Sequence, residues 1–106
     1  MLELAFATKD LRSLCEDAAC AYERYSPVVA ETLVRRLADL RAASNPVELP
    51  FAEPRLAAAG DSEHVVIALA EGHSLVISAS HKKIPREADG SVAWKYVSRI
   101  IILRLE

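Results

Sequence analysis

Residues 60–80, GDSEHVVIALAEGHSLVISAS, decide how this chain folds. They hold two apolar runs, residues 64–70 and residues 74–80, on either side of the tripeptide EGH at 71–73. Apolar side chains alternate with their neighbours along both runs, which is typical of strands with one buried face. A short glycine-containing break between two such strands predicts a β-hairpin. Because an isolated hairpin is marginally stable in water, the rest of the chain must cover it.

Composition is typical of a single globular domain spanning residues 1–106. Apolar residues make up 52% of the chain and there are three glycines, so one core can form. No apolar run approaches the roughly 18–20 residues that cross a bilayer, and the N-terminal sequence lacks the features of a signal peptide. We therefore expect a cytoplasmic protein that does not associate with membranes.

Cys15 and Cys20 are the only cysteines. In a helix they would point about 140° apart, which excludes an easy local disulfide. Neither has a second thiol at zinc-ligand spacing. We expect both to behave as small buried apolar residues, and we expect neither a metal nor a cofactor.

The formal charge of −2 is unevenly distributed along the chain. Residues 1–80 carry seven basic and twelve acidic side chains, whereas residues 81–105 carry six basic and two acidic ones. A basic C-terminal quarter on an acidic protein favours contact with phosphates or with an acidic partner segment. A single solvated face explains the same pattern, and both interpretations stay open.

The first half of the chain predicts one strand and two helices. Residues 2–6 alternate as a short strand, and residues 8–25 carry apolar side chains at three- and four-residue steps, as in one amphipathic helix. Ser26-Pro27 predicts the start of a second helix, and Pro46 predicts its end. The apolar stripe of this second helix is formed by Val29, Leu33, Leu37 and Leu40, widened by Val34.

The second half predicts the sheet. An edge strand is expected near residues 49–52, since the flanking prolines keep it out of a sheet centre. After the hairpin, residues 81–92 predict a polar surface loop that Trp94 anchors in the core, and residues 99–105 predict a last strand buried on both faces. The expected fold is α+β with two layers, an N-terminal helical hairpin packed on a small, mostly antiparallel sheet.

Four local motifs accompany this order of elements. They are LRSLC at 11–15, LVRRLADLRAA at 33–43, GD at 60–61, and HKKIPR at 81–86 followed by DGSVAW at 89–94. Together they resemble the RelE/ParE toxin superfamily, in particular HigB-like plasmid maintenance killer proteins. The resemblance spans nearly the whole chain and implies a RelE-like fold.

This resemblance implies the toxin component of a bacterial type II toxin–antitoxin system. Such a toxin binds a cognate antitoxin protein and, if active, is a metal-independent endoribonuclease that cleaves mRNA on the ribosome. A degenerate toxin homologue that keeps antitoxin binding is part of the same expectation. A ParE-like inhibitor of DNA gyrase and a catalytically dead protein-interaction module are the alternatives. The expected state is a monomer or a toxin–antitoxin hetero-oligomer.

The sequence departs from the family pattern where relatives carry charge. Ser62 and Ser74 stand where relatives commonly have arginine, and Ala57–Ala59 stand where they have histidine and lysine. The remaining candidates for catalysis are His81, Lys82, Lys83 and Arg99, and those for RNA binding are Lys82, Lys83, Arg86, Lys95 and Tyr96.

The strand period predicts that Arg99 and Arg104 face opposite sides of the sheet and form no common clamp. We expect any phosphate-sized basic hollow between the hairpin and the loop from His81 to be shallow or missing.

Overall fold

The computed structural model of the protein describes residues 2–49, 54–59 and 62–106. The predicted turn at residues 60–61 and most of the predicted edge strand at residues 49–52 lie outside these residues. In chain order the elements are β1 (Glu3–Phe6), α1 (Lys9–Glu16), α2 (Ala18–Arg24), α3 (Pro27–Ala42), β2 (Arg55–Ala59), β3 (Ser62–Ala68), β4 (Ser74–Ala79), a 3₁₀ helix (Trp94–Tyr96) and β5 (Arg99–Leu105).

The described strands form one five-stranded sheet in the order β1-β5-β4-β3-β2. β1 pairs with β5 in parallel, and the other three pairings are antiparallel. The prediction of an α+β fold with a mostly antiparallel sheet is thus confirmed. β5 lies between β1 and β4, which confirms its interior position in the sheet. Burial on both faces is not found, because Ile100 and Ile102 are buried whereas Ile101 and Leu103 are half-buried.

β3 and β4 form the predicted hairpin, with Val65 opposite Ile77 and Ile67 opposite Leu75. The turn is closed by a hydrogen bond from the His73 N–H to the Ala70 carbonyl at 3.0 Å. Its two central residues, Glu71 and Gly72, have φ of 55° and 79°. Positive φ at both positions is the requirement of a type I′ turn, whose twist matches that of the strands.

The N-terminal helix is interrupted, so the prediction of one continuous helix over residues 8–25 is wrong. Asp17 has extended backbone angles and ends α1. Its carboxylate accepts a hydrogen bond from the Ala19 N–H at 3.0 Å and so caps α2. A short acidic side chain that bonds its own downstream backbone competes with helix propagation, and this breaks the periodic pattern in two.

α3 begins and ends where the sequence predicts. The Ser26 hydroxyl accepts a hydrogen bond from the Val29 N–H, Pro27 occupies the first turn, and the helix ends at Ala42. The predicted stripe is buried, but Val34 is 42% exposed and does not widen it.

One cluster of buried side chains joins helices and sheet. It contains Leu14, Leu33 and Leu37 from the helices together with Ile77 and Ile100 from the strands. Val76, on the other face of β4, is buried but lies outside this cluster. The apolar alternation of the hairpin therefore serves the core on one face of the sheet.

At the edge of the sheet opposite β1 lies β2. It pairs only with β3 among the described strands. Leu49, in the predicted position, is buried but lies outside any strand. Pro54, which has no backbone N–H to donate to a ladder, directly precedes β2.

Candidate functional site

The candidate residues lie on the segment that joins β4 to β5, and this segment is ordered by its own backbone. Arg86 and Val92 form an antiparallel bridge. Hydrogen bonds flank the bridge, from the Ala93 N–H to the Pro85 carbonyl at 2.9 Å and from the Glu87 N–H to the Ser91 carbonyl at 2.7 Å. The predicted loop is therefore a small hairpin-like excursion with a defined shape.

The underside of this excursion is apolar and buried. Val92, Ala93, Trp94 and Val97 are all buried, and Trp94 belongs to the main core cluster, as predicted. The indole Nε1 of Trp94 is buried without an acceptor in the described part of the chain. Burial of the apolar ring of Trp94 stabilises the fold, and burial of its unsatisfied N–H offsets part of that stabilisation.

Glu63 fastens the loop to the hairpin. Its carboxylate accepts a hydrogen bond from the Val92 N–H at 2.8 Å. This contact is not among the sequence-based predictions, although the sequence carries a signal for it. Glu63 stands in the same alternating register as the core residues Val65 and Ile67, and a carboxylate on the core-facing side of a strand requires a hydrogen-bond donor.

His81 fastens the other end of the loop. Its Nε2 accepts hydrogen bonds from the backbone N–H groups of Ser98 at 2.9 Å and Arg99 at 3.2 Å. A ring nitrogen that accepts carries no proton, so the ring proton lies on Nδ1. The Nε2 lone pair is therefore committed to holding the loop closed.

An open hollow of about 670 Å³ lies along the first part of this loop. We call it the loop hollow. It is lined by six consecutive residues, His81, Lys82, Lys83, Ile84, Pro85 and Arg86. It belongs to the loop itself, whereas the sequence placed any such hollow between the hairpin and the loop.

The cations of the loop hollow are sparsely engaged. Lys82 and Lys83 are exposed and form no ion pair or side-chain hydrogen bond with any residue that the structure describes. Arg86 donates from Nη1 to the Gly90 carbonyl at 2.9 Å, within its own turn. The hollow therefore presents positive charge to whatever enters it.

Of the two acidic residues that follow the loop hollow in sequence, Glu87 and Asp89, the second forms hydrogen bonds within its own turn. Asp89 accepts hydrogen bonds from the Ser91 N–H at 2.9 Å and from the Ser91 hydroxyl at 2.6 Å. These hydrogen bonds, that from the hydroxyl first, hold the pKa of the Asp89 carboxyl below its ordinary range. Asp89 thus stabilises the turn and forms no ion pair with the lysines of the loop hollow.

Arg99 is placed on β5 and is already paired. Its Nε lies 3.0 Å from the Glu3 carboxylate, directly across the parallel β1–β5 pairing. Arg104 is paired with Glu106 at 3.0 Å. Arg99 contacts the ring of His81 only through its backbone N–H, so its guanidinium does not join the loop hollow.

The prediction that Arg99 and Arg104 face opposite sides is wrong, because β5 carries a bulge where it pairs with β4. Two successive core-facing residues, Ile102 and Leu105, are three positions apart instead of two. The extra residue shifts Arg104 onto the face that carries Arg99. The two arginines still form separate ion pairs and not one clamp.

Lys95 and Tyr96 lie on the short 3₁₀ helix and are both exposed. The Lys95 Nζ lies 5.1 Å from the Tyr96 ring centroid, in cation–π geometry. Neither residue lines the loop hollow. Of the predicted site residues, the structure therefore brings together His81, Lys82, Lys83 and Arg86 and leaves Arg99, Lys95 and Tyr96 apart from them.

Burial makes the Cys15 thiol a poor nucleophile. Both are free thiols, Cys15 buried and Cys20 half-buried. Burial raises the pKa of the Cys15 thiol to about 11, with smaller opposing effects of nearby charges. Within residues 2–49, 54–59 and 62–106, no group of three or more His, Cys, Asp or Glu side chains could hold a metal ion.

Comparisons with known proteins add no relative. No protein-family model, no curated protein and no solved structure matches the chain. Among the described helices, none has the length and apolar character needed to span a bilayer.

Proposed function

We propose that this chain is a RelE/ParE-like, HigB-like protein of a bacterial type II toxin–antitoxin system. In this proposal the chain binds a partner protein and does not cleave RNA. The order of elements, with a helical N-terminal half before the antiparallel hairpin, supports the proposal. So do the motifs at 81–86 and 89–94, which form one ordered loop. Its principal partner in this proposal is a cognate antitoxin.

The geometry of His81 and Arg99 is the observation that supports a protein without ribonuclease activity. Metal-independent RNA cleavage requires a base for the 2′-hydroxyl, an acid for the leaving oxygen and cations for the developing phosphorane charge. Nε2 of His81 already accepts two backbone hydrogen bonds. The Arg99 guanidinium is paired with Glu3. Of the predicted catalytic residues, Lys82 and Lys83 remain available as cations, whereas the Nε2 lone pair of His81 is not available as a base.

A second candidate function is an active, ribosome-dependent mRNA endoribonuclease. The open loop hollow favours it, because Lys82 and Lys83 are available there for phosphate. The net charge of −2 opposes it, since ribosome binding by a small protein generally requires strong positive potential.

Induction of the protein alone in a bacterium separates these functions. We expect normal growth and intact transcripts, because the base and the paired arginine are committed to structure. Transcript cleavage would overturn the catalytically silent form. Loss of cleavage in K82Q/K83Q, but not in K9Q/R41Q, would then assign the activity to the loop hollow. Gyrase supercoiling in the same extract detects a ParE-like action instead.

Antitoxin binding is measured separately. Co-expression with the product of the adjacent reading frame, followed by affinity capture through a tag on this chain, is expected to yield a stable complex. Failure to recover any complex, with both proteins expressed and folded, would overturn the toxin–antitoxin proposal.

A further inference from the structure

The loop hollow is ready to bind an anion without reorganising. The loop that forms the hollow is held at one end by the hydrogen bond from the Ser98 N–H to His81 and at the other end by the Arg86–Val92 bridge. The backbone N–H groups of Lys82, Lys83 and Ile84 donate to no acceptor in the described part of the chain. Because the loop is held at both ends by these contacts, a ligand that binds the two ammonium groups orders little further backbone.

The walls of the hollow indicate which kind of anion fits. Ile84 and Pro85 contribute aliphatic surface beside the cations. No phenylalanine, tyrosine or tryptophan is among the lining residues that the structure describes, whereas sites for single-stranded nucleic acid pair cations with aromatic rings on which bases stack. A ligand with carboxylates and aliphatic side chains matches this lining.

Charge outside the loop also favours a short ligand. Residues 1–80 carry seven basic against twelve acidic side chains. This negative balance disfavours a long polyanion more than a short one. A peptide segment can confine its negative charge to the few residues that enter the hollow.

We propose that the loop hollow binds an acidic–aliphatic peptide segment of a partner protein. Lys82 and Lys83 face the carboxylates of that segment, and Ile84 and Pro85 contact its aliphatic side chains. This inference rests on the proposed function in one respect, namely that the partner is the antitoxin.

A direct measurement uses the whole chain and a fluorescein-labelled peptide, Glu-Glu-Leu-Glu-Glu-Leu, in fluorescence anisotropy at about 50 mM salt. We expect saturable binding that weakens at about 300 mM salt, because exposed charge pairs are screened. The peptide Gln-Gln-Leu-Gln-Gln-Leu, which has the same shape without charge, is expected to bind at least tenfold more weakly. Equal binding of the two peptides, or no binding of either, would overturn the proposal.

Matched variants locate the site. K82Q/K83Q is expected to weaken the acidic peptide roughly five- to tenfold, the effect of two exposed charge pairs. K9Q/R41Q removes the same charge from α1 and α3 and is expected to leave affinity within twofold. Equal losses in both variants would indicate a general charge effect and would overturn the assignment to the loop hollow. Circular dichroism confirms that each variant is folded.

Hexa-adenylate RNA and inorganic phosphate serve as competitors. We expect neither to displace the peptide at equal charge concentration. Preferential binding of the RNA would overturn the proposal in favour of a nucleic-acid site. Displacement of the peptide by phosphate alone would overturn it in favour of a simple anion site. Because the isolated protein is used, these outcomes are independent of whether the antitoxin complex forms.

Discussion

Two neighbouring regions differ in how their charged side chains are engaged: the hairpin formed by β3 and β4, and the loop that follows it. In the hairpin, Glu63 and Glu71 both accept hydrogen bonds, from the Val92 N–H and from the Ser26 hydroxyl. In the loop, Lys82 and Lys83 contact no described partner. A charged side chain that is already hydrogen-bonded within the fold is a poor candidate for ligand binding. A charged side chain without such a partner is available to a ligand.

The largest difference between the two regions concerns stability. Ile77 on β4 is fully buried in the core cluster, so Ile77→Ala is expected to lower the free energy of unfolding by about 2–5 kcal/mol. Lys83→Ala, in the exposed loop, is expected to change it by less than about 0.5 kcal/mol. Urea unfolding followed by circular dichroism measures both. Comparable losses in the two variants would contradict the division between hairpin and loop.

Alkaline pH probes the apolar layer that covers the hairpin. Burial raises the pKa of Cys15 from its ordinary value of 9.0 to about 11, so between pH 9 and pH 11 the thiol of the unfolded chain loses its proton first. The stabilisation present below pH 9 is therefore lost as pH rises to about 11, amounting to roughly 2–3 kcal/mol. The free energy of unfolding is measured from pH 8 to about 11 for the native chain and for Cys15→Ala. The difference between the two profiles gives the contribution of Cys15, because all other titrating groups are present in both chains. Parallel pH profiles would contradict it.

The smallest expected effect concerns the closure of the loop. His81→Ala removes the acceptor for the Ser98 and Arg99 N–H groups and is expected to destabilise the chain by about 1 kcal/mol. Amide exchange at residues 98 and 99 should accelerate while exchange in β3 and β4 changes little. His81→Gln supplies a side-chain oxygen at similar reach and is expected to retain part of the protection. Unchanged exchange in His81→Ala would show that the ring does not hold the loop.

Local chemistry made much of this fold predictable. Ser26-Pro27 marks the start of α3 because hydroxyl capping and a missing N–H act within one turn. The alternation around residues 71–73 predicts the hairpin for an equally local reason. The break at Asp17 was missed because a capping carboxylate competes with an otherwise continuous helical pattern.

The site was less predictable. The sequence singled out His81, Lys82, Lys83 and Arg86, and these four do line one hollow. It also grouped Arg99 with them, and only the pairing of β1 with β5 places Glu3 beside that arginine.

The sequence by itself therefore determined the α+β class, the hairpin, the limits of α3 and the basic character of the last quarter, because these follow from periodicity, capping and composition. Tertiary structure alone decided which charges remain available. The bulge in β5 arises in its pairing with β4. The Val92 N–H donates to Glu63, and the Ser98 N–H donates to His81. Each of these features depends on residues that are distant in sequence. Such contacts depend on strand register, and a single extra residue on one strand changes which side chains share a face.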